Sequence, residues 1–409
     1  MSEQVGRHPW VEQFQDQIGF GLQVVAAHGV DSPGKNLVRA AQLADELGFD
    51  AFFLGDHPAW APEIWTHFAA IAVSTRRIRL GPMVAANPYR VPLLTARIVS
   101  DLDHLSEGRV IMGLGIGWDA AEYGLGTNEF ARMGLPYPPV RERQEALDEA
   151  IAIIRGLWGQ DPFSFTGTYY QAANANVPRP VQQPEPPLII AGGGERTLRQ
   201  VARLAHCANF GPGPAGNVAS AETTRERLAV LKRHCEEIRR DYNDILRSTF
   251  THWVIMAPTE AEVRAKVDRY FPDSLDAFWG AYLVSGTPDQ VAELLVPFIA
   301  AGIQYFDLQI LDPTDEETIH LVMYTLAPHL NQLRLTRQPS RCGTDTDATC
   351  QRSTTCVQKD LLCRSTSTVT SAAQGGAGLE HTRVIQPGLC LGTYTPAATE
   401  ACSMAQETA

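Results

Sequence analysis

The sequence predicts a (β/α)8 TIM barrel with insertion loops after strand 4 and before strand 5, and three observations carry that expectation. Apolar strand-like runs alternate with helix-period stretches from residue 17 to residue 332. The strand runs are apolar almost throughout, as in a parallel sheet covered on both faces. Eight such units in roughly 300 residues favour a closed barrel over an open doubly wound sheet.

The expected strands are 18–26, 50–55, 78–85, 109–115, 187–191, 207–211, 246–256 and 305–311. Helix-period stretches follow at 34–47, 62–74, 92–105, 140–158, 195–206, 221–240 and 288–301. Gly48 stops the first of these and Gly302 the last, because glycine accepts the left-handed turn that ends a helix. Thr287 reads as an N-cap with Pro288 at the first turn. Two connections exceed ordinary loop length: 118–139 after the fourth strand and 159–186 before the fifth. The second contains an expected hairpin at 163–170 around Thr166-Gly167. Long excursions at the catalytic end of a barrel are lids or binding loops. Residues 1–16 are an N-terminal extension, 17–332 the barrel domain and 333–409 a tail. The tail has no Phe or Trp from residue 335 on and shows no lasting period, so disorder is expected. Its cysteines, Cys342, Cys350, Cys356, Cys363, Cys390 and Cys402, fit no zinc spacing.

Composition removes several function classes. The 34 basic and 46 acidic side chains give a net charge of −12, which argues against a nucleic-acid partner. No apolar run approaches the ~20 residues of a membrane span. The start MSEQVGRHPW lacks a signal-peptide pattern, so a cytoplasmic location is expected. Lysine occurs only at Lys35, Lys232, Lys266 and Lys359, none ending an expected strand, which disfavours Schiff-base chemistry. The 17–332 region has no HExxH, no close Cys/His cluster and no Gly-x-Ser-x-Gly elbow, so no metal is expected.

Barrel chemistry sits at strand ends. Strand one offers Gln23. Strand two ends in Asp56-His57, with Trp60 beyond. Strand three carries Met83, Val84 and Asn87. Strand four ends in Gly113, Gly115 and Gly117, then Trp118. Strand five ends in Gly192-Gly193-Gly194, with Thr197 in the next helix. Strands six to eight bring Phe210, His252, Trp253 and Gln309. The three consecutive glycines open a helix, so they are either a phosphate site or a tight turn needing positive φ. The alternating glycines either leave room for a flat ring system or allow close strand packing. His57 is either a proton carrier or part of a satisfied structural pair with Asp56.

Taken in order and spacing, several stretches resemble the bacterial-luciferase-like superfamily of flavin and deazaflavin oxidoreductases, in its F420-dependent branch. They are Leu54-Gly55-Asp56-His57, Arg79-Leu80-Gly81-Pro82-Met83-Val84, Leu102-Asp103-His104-Leu105-Ser106-Glu107-Gly108-Arg109, Gly113 to Trp118, Pro139-Val140-Arg141-Glu142-Arg143 and Pro186 to Gly194. The resemblance implies a ring cofactor across the C-terminal mouth, with its phosphate at Gly193, Gly194 and Thr197. It implies a non-prolyl cis peptide at Met83–Val84 behind the ring, and Met83, Val84, Asn87, Gly115, Gly117 and Gly192 are expected to bind the cofactor with the phosphate residues. It puts Asp56 and His57 at the acid/base position. It also implies pairing through outer helices, so a homodimer is an expectation. One departure bears on substrate. Relatives of this kind that act on sugar phosphates carry an acid just after the fourth-strand glycines and use lysines; here Trp118 stands there and lysine is scarce. An apolar pocket walled by Trp60, Trp118, Phe210 and Trp253, with Gln23 and His252 as its polar members, is the expectation. Three readings follow: an F420-dependent oxidoreductase of a small organic substrate, an FMN-dependent monooxygenase, and a non-catalytic flavin-binding protein.

Overall fold

A computed structural model describes residues 5–24, 33–59, 61–118, 129–211, 220–251, 253–272 and 283–337. Thirteen strands are described. They are β1 (Gly19–Val24), β2 (Ala51–Leu54), β3 (Arg79–Pro82), β4 (Ala85–Ala86), β5 (Met112–Gly115), β6 (Phe163–Thr166) and β7 (Gln171–Ala175). The chain continues through β8 (Leu188–Ala191), β9 (Cys207–Phe210), β10 (Leu246–Thr251), β11 (Val254–Met256), β12 (Val284–Gly286) and β13 (Tyr305–Ile310).

Nine of them form one parallel sheet in the order β3-β2-β1-β13-β10-β9-β8-β5-β4. The third barrel strand is split into β3 and β4, so the ring has the eight expected positions. Its seam is nearly closed by an isolated parallel bridge between Leu80 and Val110. There the Ile111 amide donates to the Leu80 carbonyl at 2.9 Å. Outer helices cover the ring, among them Pro33–Leu47, Ile64–Ser74, Pro92–Leu105, Val140–Gly159 and Pro288–Ala301. Thr287 caps the last of these through a reciprocal box with Gln290, and Gly302 ends it at φ 118. Among the described residues no helix is long and apolar enough to cross a membrane.

The side-chain period of two divides each strand between two cores. Phe20, Leu22, Phe52, Leu80, Met112, Leu114, Ile190, Phe306 and Leu308 face the helices. Phe53, Ile111, Ile189, Cys207, Leu246 and Tyr305 belong to a second, inner cluster. The N-terminal extension contributes to that inner cluster: Trp10, Val11 and Phe14 are at most 1% exposed. Phe14 meets Tyr305 edge-on at 5.0 Å, and Trp10 meets Tyr305 at 5.7 Å. Such pairs contribute about 0.5–1.5 kcal/mol beyond burial. Gly19 is glycine because a Cβ there would lie 2.4 Å from both aromatic rings.

Two expectations are corrected. The run 246–256 is two strands in two sheets: β10 is in the barrel, while β11 pairs with β12. The chain turns between them at Trp253, whose φ is 22. The helix Ala327–Arg337 continues past residue 333, where the tail was expected to begin. Asn331 on it accepts from the Ile18 amide at 2.7 Å, and Arg334 donates to the Gln15 carbonyl at 2.6 Å. The first long loop contains a helical turn, Glu129–Arg132. The hairpin expected at 163–170 is present as β6 and β7, antiparallel and extending to Ala175. Residues 338–409, and with them the expectation about the tail, lie outside the described residues.

Candidate functional site

The C-terminal ends of β1, β2, β4, β5 and β8 bring most of the singled-out residues to one mouth. The third strand is interrupted by a cis peptide between Met83 and Val84. The Met83 amide still donates to the Leu54 carbonyl at 3.0 Å. Gln23 of β1 donates through Nε2 to the Met83 carbonyl at 3.0 Å. Its Oε1 is buried and has no hydrogen-bond partner among the described residues. Met83 is 7% exposed and joins the inner cluster, with Val84 packed against it.

The alternating glycines are explained by this interruption. A Cβ on Gly113 would lie 2.0 Å from the Pro82 carbonyl oxygen, and one on Gly115 would lie 2.7 Å from Val84 Cγ2. Both glycines admit the neighbouring strand; the expectation of open space for a ring is corrected at these two positions. Gly117 has φ 78, and a Cβ there would meet Phe130 Cζ at 2.8 Å. It seats Phe130, which is fully buried and tilts against Tyr89 and Tyr137 at 5.0 and 4.5 Å. Arg143 locks this corner. It donates to the Gly117 carbonyl at 2.7 Å and lies 3.9 Å over the Tyr137 ring.

Asp56 and His57 part company. Asp56 is 4% exposed and takes both Arg90 nitrogens, at 2.6 and 3.1 Å, together with the Ala86 amide at 3.0 Å. It therefore fastens the third-strand break rather than the imidazole. Burial pushes the Asp56 carboxyl up while Arg90 and the Ala86 amide pull it down, and the bonds to Asp56 and Glu63 raise the Arg90 guanidinium against its own burial. His57 instead places Nδ1 3.0 Å from Oε2 of Glu129, a carboxylate 2% exposed. Glu129 Oε1 also accepts from the Ala59 amide at 3.4 Å.

On the opposite side, Gly192 has φ 126 and Gly193 is buried. Gly194 is the N-cap of the ten-residue helix Glu195–Leu204, and no side chain caps it. Thr197 in its first turn accepts from Gln144 Nε2 at 3.2 Å. A hydroxyl that accepts there has its proton to donate elsewhere. Arg196 pairs with Glu145 at 3.0 Å. Tyr169, Arg141 and Arg196 together hold the Glu145 carboxyl down to about 2. The second insertion is tied in as well: Glu149 accepts from the amides of Thr168, Tyr169 and Tyr170, and the Tyr170 hydroxyl accepts from Asn87 Nδ2 at 3.0 Å.

Of the expected pocket walls, Trp118 is half-buried at the end of β5. Phe210 is corrected: it belongs to the helix-facing core, because the inward positions of β9 are Cys207 and Asn209. Trp253 stands at the turn after β10, 5.5 Å from the Phe271 ring. Trp60 and His252 lie outside the described residues. Glu129, Gln144 and Tyr170 were not singled out from sequence. Gln144 directly follows the quoted Arg-Glu-Arg stretch, and Glu129 precedes an aromatic late in a long loop; those are faint signals.

Residues 18–281 match the luciferase-like monooxygenase family. The chain is 27% identical to an F420-dependent glucose-6-phosphate dehydrogenase of Microbacterium testaceum, over 69% of this chain and 88% of that protein. A protein of the same name from Nocardia farcinica is 26% identical over 73% of this chain and 95% of its own length. Among solved structures, the fold is similar to an F420-dependent secondary alcohol dehydrogenase in complex with an F420-acetone adduct. That likeness has a TM-score of 0.63 at 18% identity and covers 77% of this chain and 99% of the other.

Proposed function

The chain belongs to the luciferase-like monooxygenase family of oxidoreductases, and from that premise we propose that it is an F420-dependent enzyme acting on an uncharged organic substrate. The observation that carries this reading is the pairing, across one barrel mouth, of an uncapped helix start at Gly192–Gly194 with an imidazole at His57. The relatives named above add to it.

The residues present fit the group. The free amides of the helix start and the Thr197 hydroxyl would hold its phosphate, since a helix start favours anions. Gln23 Oε1, a buried acceptor without a partner among the described residues, suits a ring N–H. Bound F420 would supply a hydride carrier. His57 exchanges the accompanying proton, the usual task of a histidine placed at such a mouth. The sugar phosphate in the relatives' names is not carried over. Trp118 replaces an acid there, and Lys266, one of four lysines, is committed to Asp315 and Glu317 at 2.8 Å each.

Titration of the purified chain with F420 and separately with FMN tests the reading. Micromolar binding of F420 is expected, weakened tenfold or more, about 1.4 kcal/mol, by Gly193→Val. Tight FMN binding with no F420 binding would overturn it in favour of a flavin monooxygenase.

A further inference from the structure

We propose that Glu129 is a positioning residue for His57: it holds the Nδ1 proton and so commits Nε2 to the exchange of protons at the mouth. The proposal rests on the reading of His57 as proton carrier and adds the group that determines which ring nitrogen does that work.

The geometry is built from the first insertion. Phe130 is fixed between Gly117, Tyr89 and Tyr137. That places the preceding residue, Glu129, in the first turn of its short helix and turned toward β2. The carboxylate is 2% exposed, and among the described residues its side-chain partners are His57 Nδ1 at 3.0 Å and the Ala59 amide at 3.4 Å. A carboxylate accepts and does not donate, so Nδ1 carries the proton in this contact. In a neutral imidazole the other nitrogen is then the acceptor.

The second nitrogen lies on the side of the ring toward Gly55 and Gln23. A Cβ on Gly55 would lie 3.7 Å from His57 Nε2 and 3.8 Å from Gln23 Nε2. The exchanging edge of the imidazole and the Gln23 amide thus share the space over Gly55, beside the Met83 carbonyl that Gln23 holds. Asp56, adjacent in sequence, is committed to Arg90 and the Ala86 amide. The side chain that orients His57 therefore comes from an insertion 72 residues away. A proton arriving at Nε2 creates an imidazolium whose opposite edge already faces a carboxylate, which stabilises the charge.

The test reads the tautomer directly in the full chain without cofactor. Side-chain 15N spectra are recorded at a pH where the ring is neutral, with the His57 signals assigned by their loss in His57→Asn. The expected wild-type result is a protonated Nδ1 and an unprotonated Nε2. Glu129→Gln keeps an acceptor oxygen and should retain that tautomer. Glu129→Ala should lose it, the proton moving to Nε2 or averaging between the two nitrogens. A wild-type ring protonated on Nε2 would overturn the proposal. So would an unchanged tautomer in a Glu129→Ala chain that binds F420 like wild type. If Glu129→Ala does not fold, the wild-type and Glu129→Gln spectra decide. Failure of F420 to bind would refute the functional reading and leave these spectra able to stand or fall by themselves.

Discussion

Asp56→Asn separates two roles that the Asp-His sequence alone confounds. Asp56 is 1% exposed as a side chain and Arg90 13%, with 2.6 Å between the nearest atoms. Replacing the carboxylate by an amide leaves a buried guanidinium facing N–H groups in place of one oxygen. Breaking a buried pair in this way costs about 3–5 kcal/mol. Glu63, 3.1 Å from the other Arg90 nitrogen and 43% exposed, keeps part of the compensation. The expected loss is therefore at the low end, about 3 kcal/mol. At about 2.1 cal/mol/K of unfolding entropy per residue over roughly 330 residues, about 1.4 °C per kcal/mol, the melting temperature should fall by roughly 4 °C. Thermal melts followed by circular dichroism give the stability; turnover measured well below the lowered melting point gives the chemistry. The reasoning predicts an early melt with turnover reduced less than tenfold, because His57 keeps Glu129. A variant that melts like wild type yet loses turnover a hundredfold would refute it and return Asp56 to the proton chemistry.

His57→Ala should lower turnover by about 10²–10⁴-fold, with F420 affinity, measured by titration, changed less than threefold. Gly117→Ala should cost about 1–2 kcal/mol for its left-handed backbone plus the contact with Phe130, and denaturant melts would show it; unchanged stability would mean that Phe130 is not seated there. His8 predicts an acid-sensitive N-terminus. Burial, helped by the charge of Arg79, lowers its pKa to about 4, although the Glu185 carbonyl 2.9 Å from Nε2 pulls the other way; Nδ1 accepts from the Trp10 amide at 3.0 Å. Protonation would break that last bond. The unfolded chain takes up that proton near 6.5 and the folded chain only near 4, so this contribution is complete above about pH 6.5 and is lost as pH falls toward 4. Asp50, raised to about 6 by burial, runs in the opposite sense, so the measurement is the difference in urea stability between wild type and His8→Gln across that window. A difference independent of pH would refute the assignment.

The sequence made the barrel legible because its strands are short, apolar and regularly spaced, and because Gly48, Gly302 and Thr287 punctuate helices by local chemistry alone. The glycine run at 192–194 stands out for a similar reason, since it depends on neighbours in the chain, whereas the bond at Met83–Val84 is expected only through the family resemblance. What local reading missed were contacts made across the fold. Gly113 and Gly115 are small because Pro82 and Val84 approach from another strand. Phe210 and Asn209 differ in facing by one position, and strand-end residues cannot be sorted between inner and outer cores until the register is known. Glu129 reaches His57 from within a loop that carries no periodic signal. The chain beyond the third-strand break is tied to the end of β2 by Asp56 and Arg90, thirty-four residues apart.

The register of β1 carries a consequence for how the chain comes into being. Gly19 pairs with Tyr305 and Val24 with Ile310, so the first barrel strand waits for the last. At the ~5–20 residues per second of ribosomal synthesis, that wait is about 15–60 s. Throughout it β1 has one unpaired edge, and the aromatic surfaces of Trp10 and Phe14 lack Tyr305, their eventual neighbour. Exposed edges and apolar rings are the features that nascent chains aggregate through and that chaperones bind. The ring order thus makes the N-terminus, first out of the ribosome, among the last parts of this protein to be sheltered.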